Sequence, residues 1–289
     1  KLRNFPYTNS LCAIINQYKD KMKKKFMEIL VSQFVKIGIL LTRATDKKKV
    51  ANLIESLYPF QIQTNLIRLG PKGDGGYLVP NDLDGIEACF SPGVDKISEF
   101  ERDCLKYGMK VFMADKSVEK PNLNISESNY DFIKKYVGCT NNDEFLTMDN
   151  WVNSNCPSDK SELLLQMDIE GGEYNSLINM SDSLMNRFRI MVIEFHSLQD
   201  LWNPHYFNLN QTVFNKILQT HICVHIHPNN CCGITSRFGV EIPRVAEFTF
   251  IRKDRIEIKK FQFNFPHKLD YDNTKNKTIS LPNNWYKST

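Results

Sequence analysis

The sequence lacks most of the features that assign a protein to a functional class at once. Its 289 residues carry a formal net charge of only +4, so charge gives no strong argument for a nucleic-acid partner. The eight cysteines include no CxxC pair, and several lie inside apolar runs, so we expect them to be reduced and to fill the core. The most apolar early segment, residues 26–41, contains Glu28, Gln33 and Lys36 and is therefore not a membrane span. We expect a cytoplasmic protein with reduced cysteines and without a secretory signal.

Proline and glycine are almost absent from residues 7–58, where Gly38 is the only one of either type. Apolar residues recur there at helical spacing, as in the series Met22, Phe26 and Ile29. We expect two or three helices over residues 11–58 that cap the following domain or mediate homo-oligomerisation. This predicts an N-terminal helical segment, 1–60, followed by one larger domain, 61–289.

Strand and helix patterns alternate after residue 60, which predicts an α/β domain built on a mostly parallel sheet. The stretch 70–77 holds four of the thirteen glycines and must be a turn or loop. The last two strands are separated by a glycine-containing loop without a helix, so we expect them to pair antiparallel. Predicted strands cover residues 78–80, 85–90, 109–114, 132–138, 163–167, 189–195, 221–227 and 244–252, and predicted helices cover 97–107, 148–153 and 174–187. We expect a loop over 198–210, which helps to shape a substrate pocket, and no regular structure from about residue 261.

The central motif is the stretch 163–174, Leu-Leu-Leu-Gln-Met-Asp-Ile-Glu-Gly-Gly-Glu-Tyr. An apolar strand stops at Asp168, two glycines follow, and a helical pattern begins. Ligands of parallel sheets bind outside the carboxyl ends of the strands, where Asp168 and Glu170 project from the same side if the extended backbone continues. Two carboxylates there suit a metal, a cofactor or a reacting hydroxyl. The alternative is that both simply favour a helix N-terminus.

Two further strands end in pairs of potential ligands. Glu194 and His196 alternate at the end of one strand, and His225 and His227 alternate on another. Each pair taken alone is more often structural, but three pairs at one sheet edge favour a metal site. Carboxylates and imidazoles without thiolates suit Mg(II), Mn(II), Fe(II) or Zn(II).

The segment from Gly85 to Asp115 has the spacing of a nucleotide-binding βαβ unit. A strand, a Ser-Pro-Gly turn at 91–93, a helix and a second strand lead to Asp115, which lies 22 positions after Gly93. An acid at this position accepts hydrogen bonds from ribose hydroxyls. The turn is poor in glycine, which argues against a dinucleotide pyrophosphate site and is compatible with a smaller ligand without phosphates.

These motifs together resemble the FkbM-type S-adenosylmethionine-dependent methyltransferases, particularly the sugar-modifying branch of bacterial capsule and surface-polysaccharide loci. The resemblance covers about residues 64–255. Its motifs are the stretch 163–174, Asp-Gly-Gly-Tyr at 74–77, Val-Ile-Glu-Phe-His at 192–196, His-Ile-His-Pro-Asn-Asn at 225–230 and Pro-Arg-Val-Ala-Glu-Phe-Thr-Phe at 243–250.

The resemblance implies a class I methyltransferase fold, a Rossmann-like three-layer arrangement around a seven-stranded sheet whose last two strands form an antiparallel hairpin. It implies S-adenosylmethionine as cofactor, with the expected contacts Asp74, Gly76, Tyr77, Ser91, Gly93 and Asp115. Tyr77 then closes over the cofactor or is a packed edge aromatic. Metal-dependent catechol-type methyltransferases are similar in placing ligands where this chain has Asp168 and Glu194, but they have a basic lysine where this chain has Gly171.

These observations lead us to expect a sugar O-methyltransferase that modifies a hydroxyl of a nucleotide-activated or capsular sugar such as a heptose. A divalent metal at Asp168 and Glu194, completed by His225 or His227, would lower the pKa of that hydroxyl. His196 or Glu170 would take the proton. The alternatives are a metal-dependent hydrolase or oxygenase on a similar sheet, and a non-catalytic partner domain.

Overall fold

A computed structural model describes residues 8–39, 42–94, 98–123, 129–257 and 260–287. The chain divides into two compact units, Lys1–Ala44 and Thr45–Thr289. The first unit contains helix α1, Thr8–Lys36, whose side chains are described from residue 21. Large apolar side chains of this unit are exposed, including Met22 at 71%, Phe26 at 65% and Ile37 at 69%. None of the described helices has the length and apolar content needed to cross a membrane.

The second unit contains the remaining helices and all the described strands. Its helices are α2 (Lys47–Ser56), α3 (Glu99–Lys106), α4 (Met148–Asn155), α5 (Glu173–Asn179), α6 (Asp182–Met185) and α7 (Pro204–Thr220). Short 3₁₀ helices cover Leu198–Trp202, Lys253–Arg255 and Asn283–Trp285. Helix α2 buries Val50, Leu53 and Ile54 in the core of this unit, so the structural division falls at residue 44.

Seven strands form the central sheet. They are β4 (Ala88–Pro92), β5 (Lys110–Ala114), β6 (Tyr130–Ile133), β9 (Leu163–Met167), β10 (Phe188–Phe195), β11 (His221–Pro228) and β14 (Ala246–Arg252). The other strands form two-stranded pairs, namely β1 (Phe60–Gln61) with β15 (Lys260–Phe261), β2 (Leu66–Leu69) with β3 (Tyr77–Pro80), β7 (Tyr136–Gly138) with β8 (Phe145–Thr147), and β12 (Ile234–Arg237) with β13 (Val240–Pro243).

The order of the central sheet is β11-β14-β10-β9-β4-β5-β6. Strands β4, β5, β6, β9 and β10 run parallel to one another, whereas β14 runs antiparallel to both β10 and β11. The predicted α/β fold with a seven-stranded, mostly parallel sheet and an antiparallel terminal pair is therefore confirmed. The carboxyl ends of β4, β5, β9 and β10 meet at one edge, and that edge carries the candidate site.

The sheet is buried on both faces, as parallel sheets are. In β9, Leu163, Leu165 and Met167 join one core cluster, and Leu164 joins the other. Residues of α2, α4, α5 and α7 belong to the first cluster, and residues of α3 and of the β2–β3 pair belong to the second. This is the three-layer arrangement expected for an α/β domain.

The structure corrects four predictions of local structure. The predicted helix 174–187 is divided into α5 and α6. The predicted loop 198–210 is a 3₁₀ helix followed by the first turns of α7, which starts at Pro204 behind the N-cap Asn203. The predicted strand 132–138 is divided between β6 and β7, which belong to different sheets. The tail after residue 260 contains strand β15 and a 3₁₀ helix, where we expected no regular structure.

Candidate functional site

The candidate site surrounds His196, which directly follows β10. Four carboxylates contact its imidazole. Glu173 Oε1 lies 3.1 Å from Nδ1, while Glu170 Oε2, Glu194 Oε1 and Asp168 Oδ1 lie 3.4, 3.7 and 3.9 Å from Nε2. We call these five residues the acidic cluster. The structure thus brings together the predicted residues Asp168, Glu170, Glu194 and His196.

The turn between β9 and α5 positions two members of the cluster in an unexpected way. The extended backbone ends at Met167, and Glu170 adopts a left-handed conformation with φ of 54°, followed by Gly171 with φ of 99°. Simple strand alternation therefore does not carry Asp168 and Glu170 to one side. The left-handed turn does so instead, and it places both carboxylates beside the same imidazole nitrogen of His196.

Glu173 is the member of the cluster that the sequence reasoning missed. It is fully buried, and its Oε1 accepts hydrogen bonds from the backbone N–H groups of Ile169 and Gly171 at 3.1 and 3.0 Å. The same oxygen lies 3.1 Å from His196 Nδ1, so Glu173 fixes the imidazole and directs Nε2 toward the other carboxylates. The sequence feature that could have identified Glu173 is its place in the Glu-Gly-Gly-Glu run, at the first position of α5.

Two tyrosines hold the backbone at His196. The hydroxyl of Tyr174 donates to the His196 carbonyl at 2.8 Å, and that of Tyr206 donates to the same oxygen at 3.2 Å. Ser197 follows in a left-handed conformation with φ of 57°. Tyr206 therefore positions the site through its hydroxyl. Trp202, which lies in the same predicted pocket segment 198–210, is only 3% exposed and packs edge-on against Phe238.

The four carboxylates of the acidic cluster have only one imidazole, that of His196, to balance their negative charge. Burial raises the pKa of Asp168 to about 7, and burial together with the Asp168 charge raises the pKa of Glu194 well above its usual value. Burial lowers the pKa of His196, but the Glu173 hydrogen bond and the nearby carboxylates outweigh it, so the net shift is upward. A bound cation would relieve this repulsion.

Three buried carboxylate oxygens of the cluster have no hydrogen-bond partner: Asp168 Oδ1, Glu173 Oε2 and Glu194 Oε2. Such atoms are rare in folded proteins, because each one loses its hydration without compensation. Among the described residues, Asp168, Glu173 and His196 form a group whose potential ligand atoms all lie within 4.8 Å of one another. Two carboxylates and one imidazole are a ligand set suited to Mg(II), Mn(II), Fe(II) or Zn(II).

The two histidines of β11 have a different environment from the one expected. His225 Nε2 lies 2.9 Å from Asp270 Oδ1, and His227 Nδ1 lies 3.7 Å from Asp270 Oδ2. Neither belongs to the metal-capable group around His196. The strand end of β11 contacts the acidic cluster through Asn229 instead, whose side-chain amide donates to Glu194 Oε1 at 3.0 Å.

A cavity of about 480 Å³ lies beside the cluster, at the carboxyl ends of β4, β5 and β9. Its lining residues are Gly93, Ala114, Asp115, Ser117, Tyr136, Val137, Phe145, Asp168, Ile169, Glu170 and Gly172. Two predicted cofactor contacts, Gly93 and Asp115, thus line it together with two acidic residues of the cluster. This volume is within the usual range for small-molecule sites.

Gly93 and Asp115 are fixed by the local backbone. Gly93 has φ of +87°, and a Cβ atom there would lie 1.6 Å from the Asp168 carbonyl oxygen, so no other residue fits between these strand ends. The Asp115 carboxylate accepts hydrogen bonds from the backbone N–H groups of Val94 at 3.1 Å and Ser117 at 2.7 Å.

The other predicted cofactor contacts do not line this cavity. Asp74 and Tyr77 line a second, smaller cavity, and the Tyr77 hydroxyl lies 3.4 Å from Asp168 Oδ2. Ser91 is fully buried, and its hydroxyl contacts Glu101 and Gln166, which also line the second cavity. Gly76 packs between the Pro71 carbonyl and the Arg68 guanidinium, where an added Cβ would lie 2.1 and 2.6 Å from their nearest atoms.

Comparison with known proteins does not supply a family. The chain matches no protein-family model, and a search of curated proteins found no match. The function must therefore be argued from the acidic cluster and the two cavities.

Proposed function

We propose that this protein is an S-adenosylmethionine-dependent O-methyltransferase with a class I methyltransferase fold, acting on a sugar hydroxyl. The acceptor class, a nucleotide-activated or capsular sugar such as a heptose, comes from the FkbM-type motifs. The observation that carries the proposal is the 480 Å³ cavity, because it shares Asp168 and Glu170 with the acidic cluster around His196. A cofactor in this cavity would lie beside the groups that take up a proton.

The cavity lining combines apolar and polar groups, as an adenosine requires. Tyr136, Val137 and Phe145 contribute apolar side chains, and the two aromatic rings lie 5.5 Å apart. Asp115 offers a carboxylate for ribose hydroxyls. Gly93 and Asp168 lie at the strand ends next to the acidic cluster. Apolar walls with a few placed polar groups are typical of cofactor sites.

In the proposed reaction the acceptor oxygen forms a bond to the methyl carbon while the bond between that carbon and sulfur breaks. The acceptor proton passes to His196 Nε2, and Glu173 holds the imidazole by its Nδ1–H. A raised pKa makes His196 a stronger base, and general base catalysis typically contributes about 100- to 10,000-fold. Glu170, whose side chain is 87% exposed, is placed to pass the proton to solvent.

The acidic cluster also fits a divalent metal ion, because three of its buried carboxylate oxygens lack partners. Asp168, Glu173 and His196 would hold the ion, with Glu194 beside them. A bound metal supplies Lewis acidity, which lowers the pKa of an acceptor hydroxyl. With His196 serving as a ligand, Glu170 is the remaining base of the cluster.

The test combines cofactor binding with metal removal. We expect calorimetry to detect binding of S-adenosylhomocysteine, and we expect Asp115→Ala to weaken that binding. Asp131→Ala, which removes an exposed carboxylate from the neighbouring strand β6, is the matched control and should bind normally. Treatment with EDTA separates the two forms of the mechanism. Loss of methyl transfer with intact cofactor binding, which Glu194→Gln should reproduce, means that a metal activates the acceptor, whereas full activity leaves His196 as a metal-independent base. A folded protein that binds neither S-adenosylmethionine nor S-adenosylhomocysteine would refute the proposal.

A metal-dependent hydrolase or oxygenase without a methyl donor is the second candidate. The group of Asp168, Glu173 and His196 favours it, since two carboxylates and one imidazole also serve such enzymes. The cofactor measurement separates the two candidates. A protein that copurifies with metal and does not bind S-adenosylhomocysteine would support the second one.

A further inference from the structure

Helix α1 and the residues that follow it present an unusual amount of apolar surface to solvent. Among the described residues, thirteen large apolar side chains are exposed, and eight of these lie between residues 22 and 39. Phe26, Met27 and Ile29 are 65%, 52% and 53% exposed. Exposed apolar surface that is contiguous to this extent usually marks a place where another surface docks.

A groove of about 950 Å³ lies along this helix. Met27, Val31 and Val35 are four positions apart, so they form one stripe on α1, and this stripe lines the groove. Gly38 follows the helix in a left-handed conformation, with φ of 78°, and Arg43 lines the groove beside the helix. The groove therefore combines an apolar floor with a basic side chain at its wall.

Positive charge is concentrated at the beginning of the same apolar segment. The stretch Lys21–Lys25, Lys-Met-Lys-Lys-Lys, holds four exposed lysines directly before Phe26. Residues 21–36 carry five lysines and one acidic residue, Glu28, which gives this part of α1 a net charge of +4. The whole chain also has a net charge of +4, so the rest of the protein is neutral overall. The partner surface that best complements α1 is therefore anionic as well as apolar.

Charge and apolar surface are separated along α1 and not around it. Lys23, Lys24 and Lys25 are consecutive, so in a helix of about 3.6 residues per turn they point in three different directions. The apolar side chains that follow, such as Phe26 and Met27, also point to different sides of the helix. A partner protein that fills the groove would cover only one of these sides. A membrane interface matches the whole pattern, because headgroups can surround the lysines while the apolar side chains enter the acyl boundary on every side.

We propose that α1 docks on an anionic phospholipid membrane, with its lysines among the headgroups and residues 26–35 in the apolar boundary beneath them. A second copy of the chain is the competing occupant, and it would cover these apolar side chains when no membrane is present. It would leave the lysines without partners, because Glu28 is the only acidic residue that residues 21–36 of a second α1 offer. Docking of α1 does not depend on methyl transfer, so this inference and the proposed function can fail separately.

The test is flotation of the full chain with two kinds of vesicle, phosphatidylcholine alone and phosphatidylcholine mixed with the anionic lipid phosphatidylglycerol. We expect binding to the anionic vesicles and much weaker binding to the neutral ones. The double variant Lys23→Gln with Lys24→Gln should weaken binding to the anionic vesicles by about 10- to 30-fold, the usual contribution of two lysines at an anionic surface. Added salt should weaken binding as well, because it screens these charges.

Two further double variants complete the experiment. Phe26→Gln with Met27→Gln removes two exposed apolar side chains and should weaken binding to the anionic vesicles by about 100-fold, because neither residue then gains by leaving water. Lys275→Gln with Lys277→Gln is the matched control, since it removes the same charge from two exposed lysines of the second unit. The control should bind like the wild-type protein. Circular dichroism should show the same helix content in all three variants, because every replaced side chain is exposed.

The outcomes distinguish a membrane from a second copy of the chain. Binding to anionic vesicles that weakens in both α1 variants and not in the control supports the proposal. Equal binding to both kinds of vesicle, or an unchanged affinity in either α1 variant, overturns it. Equal weakening in the control overturns it too, because net charge alone would then attract the protein. A wild-type protein that binds neither kind of vesicle overturns it as well, and self-association through α1 in that protein would assign the apolar side chains to a second copy.

Discussion

Replacing Glu173 by alanine is the most direct test of how the site is built. The change removes the acceptor of two backbone N–H groups, those of Ile169 and Gly171, and the partner of His196 Nδ1. A buried donor left without a partner costs about 1 to 3 kcal/mol, but Gly171 is exposed and Ile169 is half-buried, so water replaces part of the lost bonding. Removing the buried charge of Glu173 offsets a further part of this loss. We therefore expect the free energy of unfolding to fall by about 2 to 3 kcal/mol.

Chemical denaturation of three variants measures this effect. Glu173→Gln keeps an acceptor oxygen for the two N–H groups, so we expect a loss of only about 1 kcal/mol. Glu170→Ala is the matched control from the same turn, and because its side chain is 87% exposed we expect a change within about 0.5 kcal/mol. Titration by NMR should also show a lower pKa for His196 in Glu173→Gln, since Glu173 raises that pKa in the wild-type protein.

Equal stability losses in Glu173→Ala and Glu170→Ala would refute this reasoning. That result would mean that the turn between β9 and α5 does not depend on the buried carboxylate. An unchanged pKa for His196 in Glu173→Gln would separately refute the orienting hydrogen bond.

Three other predictions follow from features away from this turn. Asp115→Ala should weaken binding of S-adenosylhomocysteine by roughly 1.5 to 3 kcal/mol, which is the range for hydrogen bonds to a charged group. Calorimetry that shows an unchanged affinity would exclude Asp115 as the ribose ligand. Burial lowers the pKa of His221 from 6.5 to about 4. Between pH 6.5 and pH 4 the unfolded state therefore binds more protons than the folded state. The free energy of unfolding should fall by roughly 3 kcal/mol as the pH drops through this range. His221→Gln should remove that pH dependence from acid-unfolding curves, and an unaltered curve would contradict the assignment. Deleting residues 1–44 should leave the second unit folded and abolish self-association. Deleting residues 1–58 should also remove Val50 and Leu53 from the core and cause aggregation. If light scattering shows the same oligomeric state with and without residues 1–44, α1 is not the element that mediates association.

The elements that were predicted well are those whose unbroken apolar sequence shows that they are buried. Strand β9 is apolar apart from Gln166, and it lies in the middle of the sheet with both faces covered. The first turns of α7 lie in the predicted loop 198–210, so the start of this helix was predicted wrongly. In the structure Asn203 caps the helix by accepting from His205 N, and Asn210 is fully buried and donates to the Tyr206 carbonyl. These uses of asparagine depend on neighbours that composition does not show.

The same distinction applies to the candidate site. Asp168, Glu194 and His196 follow directly from strand ends, so the parallel order of β9 and β10 brings them together. The partner of His225 is Asp270, which lies 45 positions away in the tail, and no local pattern predicts that contact. Glu173 was hidden because an acidic residue at a helix start already has an ordinary explanation in the helix dipole.

The position of β14 in the sheet has a consequence for the order in which the protein can assemble during synthesis. Strands β10 and β11 both pair with β14 and not with each other, although β14 is the last of the seven to be made. A nascent chain that has not reached residue 246 therefore exposes an open edge on β10 and leaves β11 without any partner in the central sheet. Asn229, which donates to Glu194, follows β11 and reaches its place only when β14 joins the sheet. The hydrogen bond from Asn229 to Glu194 thus forms at a late step of synthesis, so ribosome stalling before that step would leave an aggregation-prone chain in which Glu194 lacks this partner.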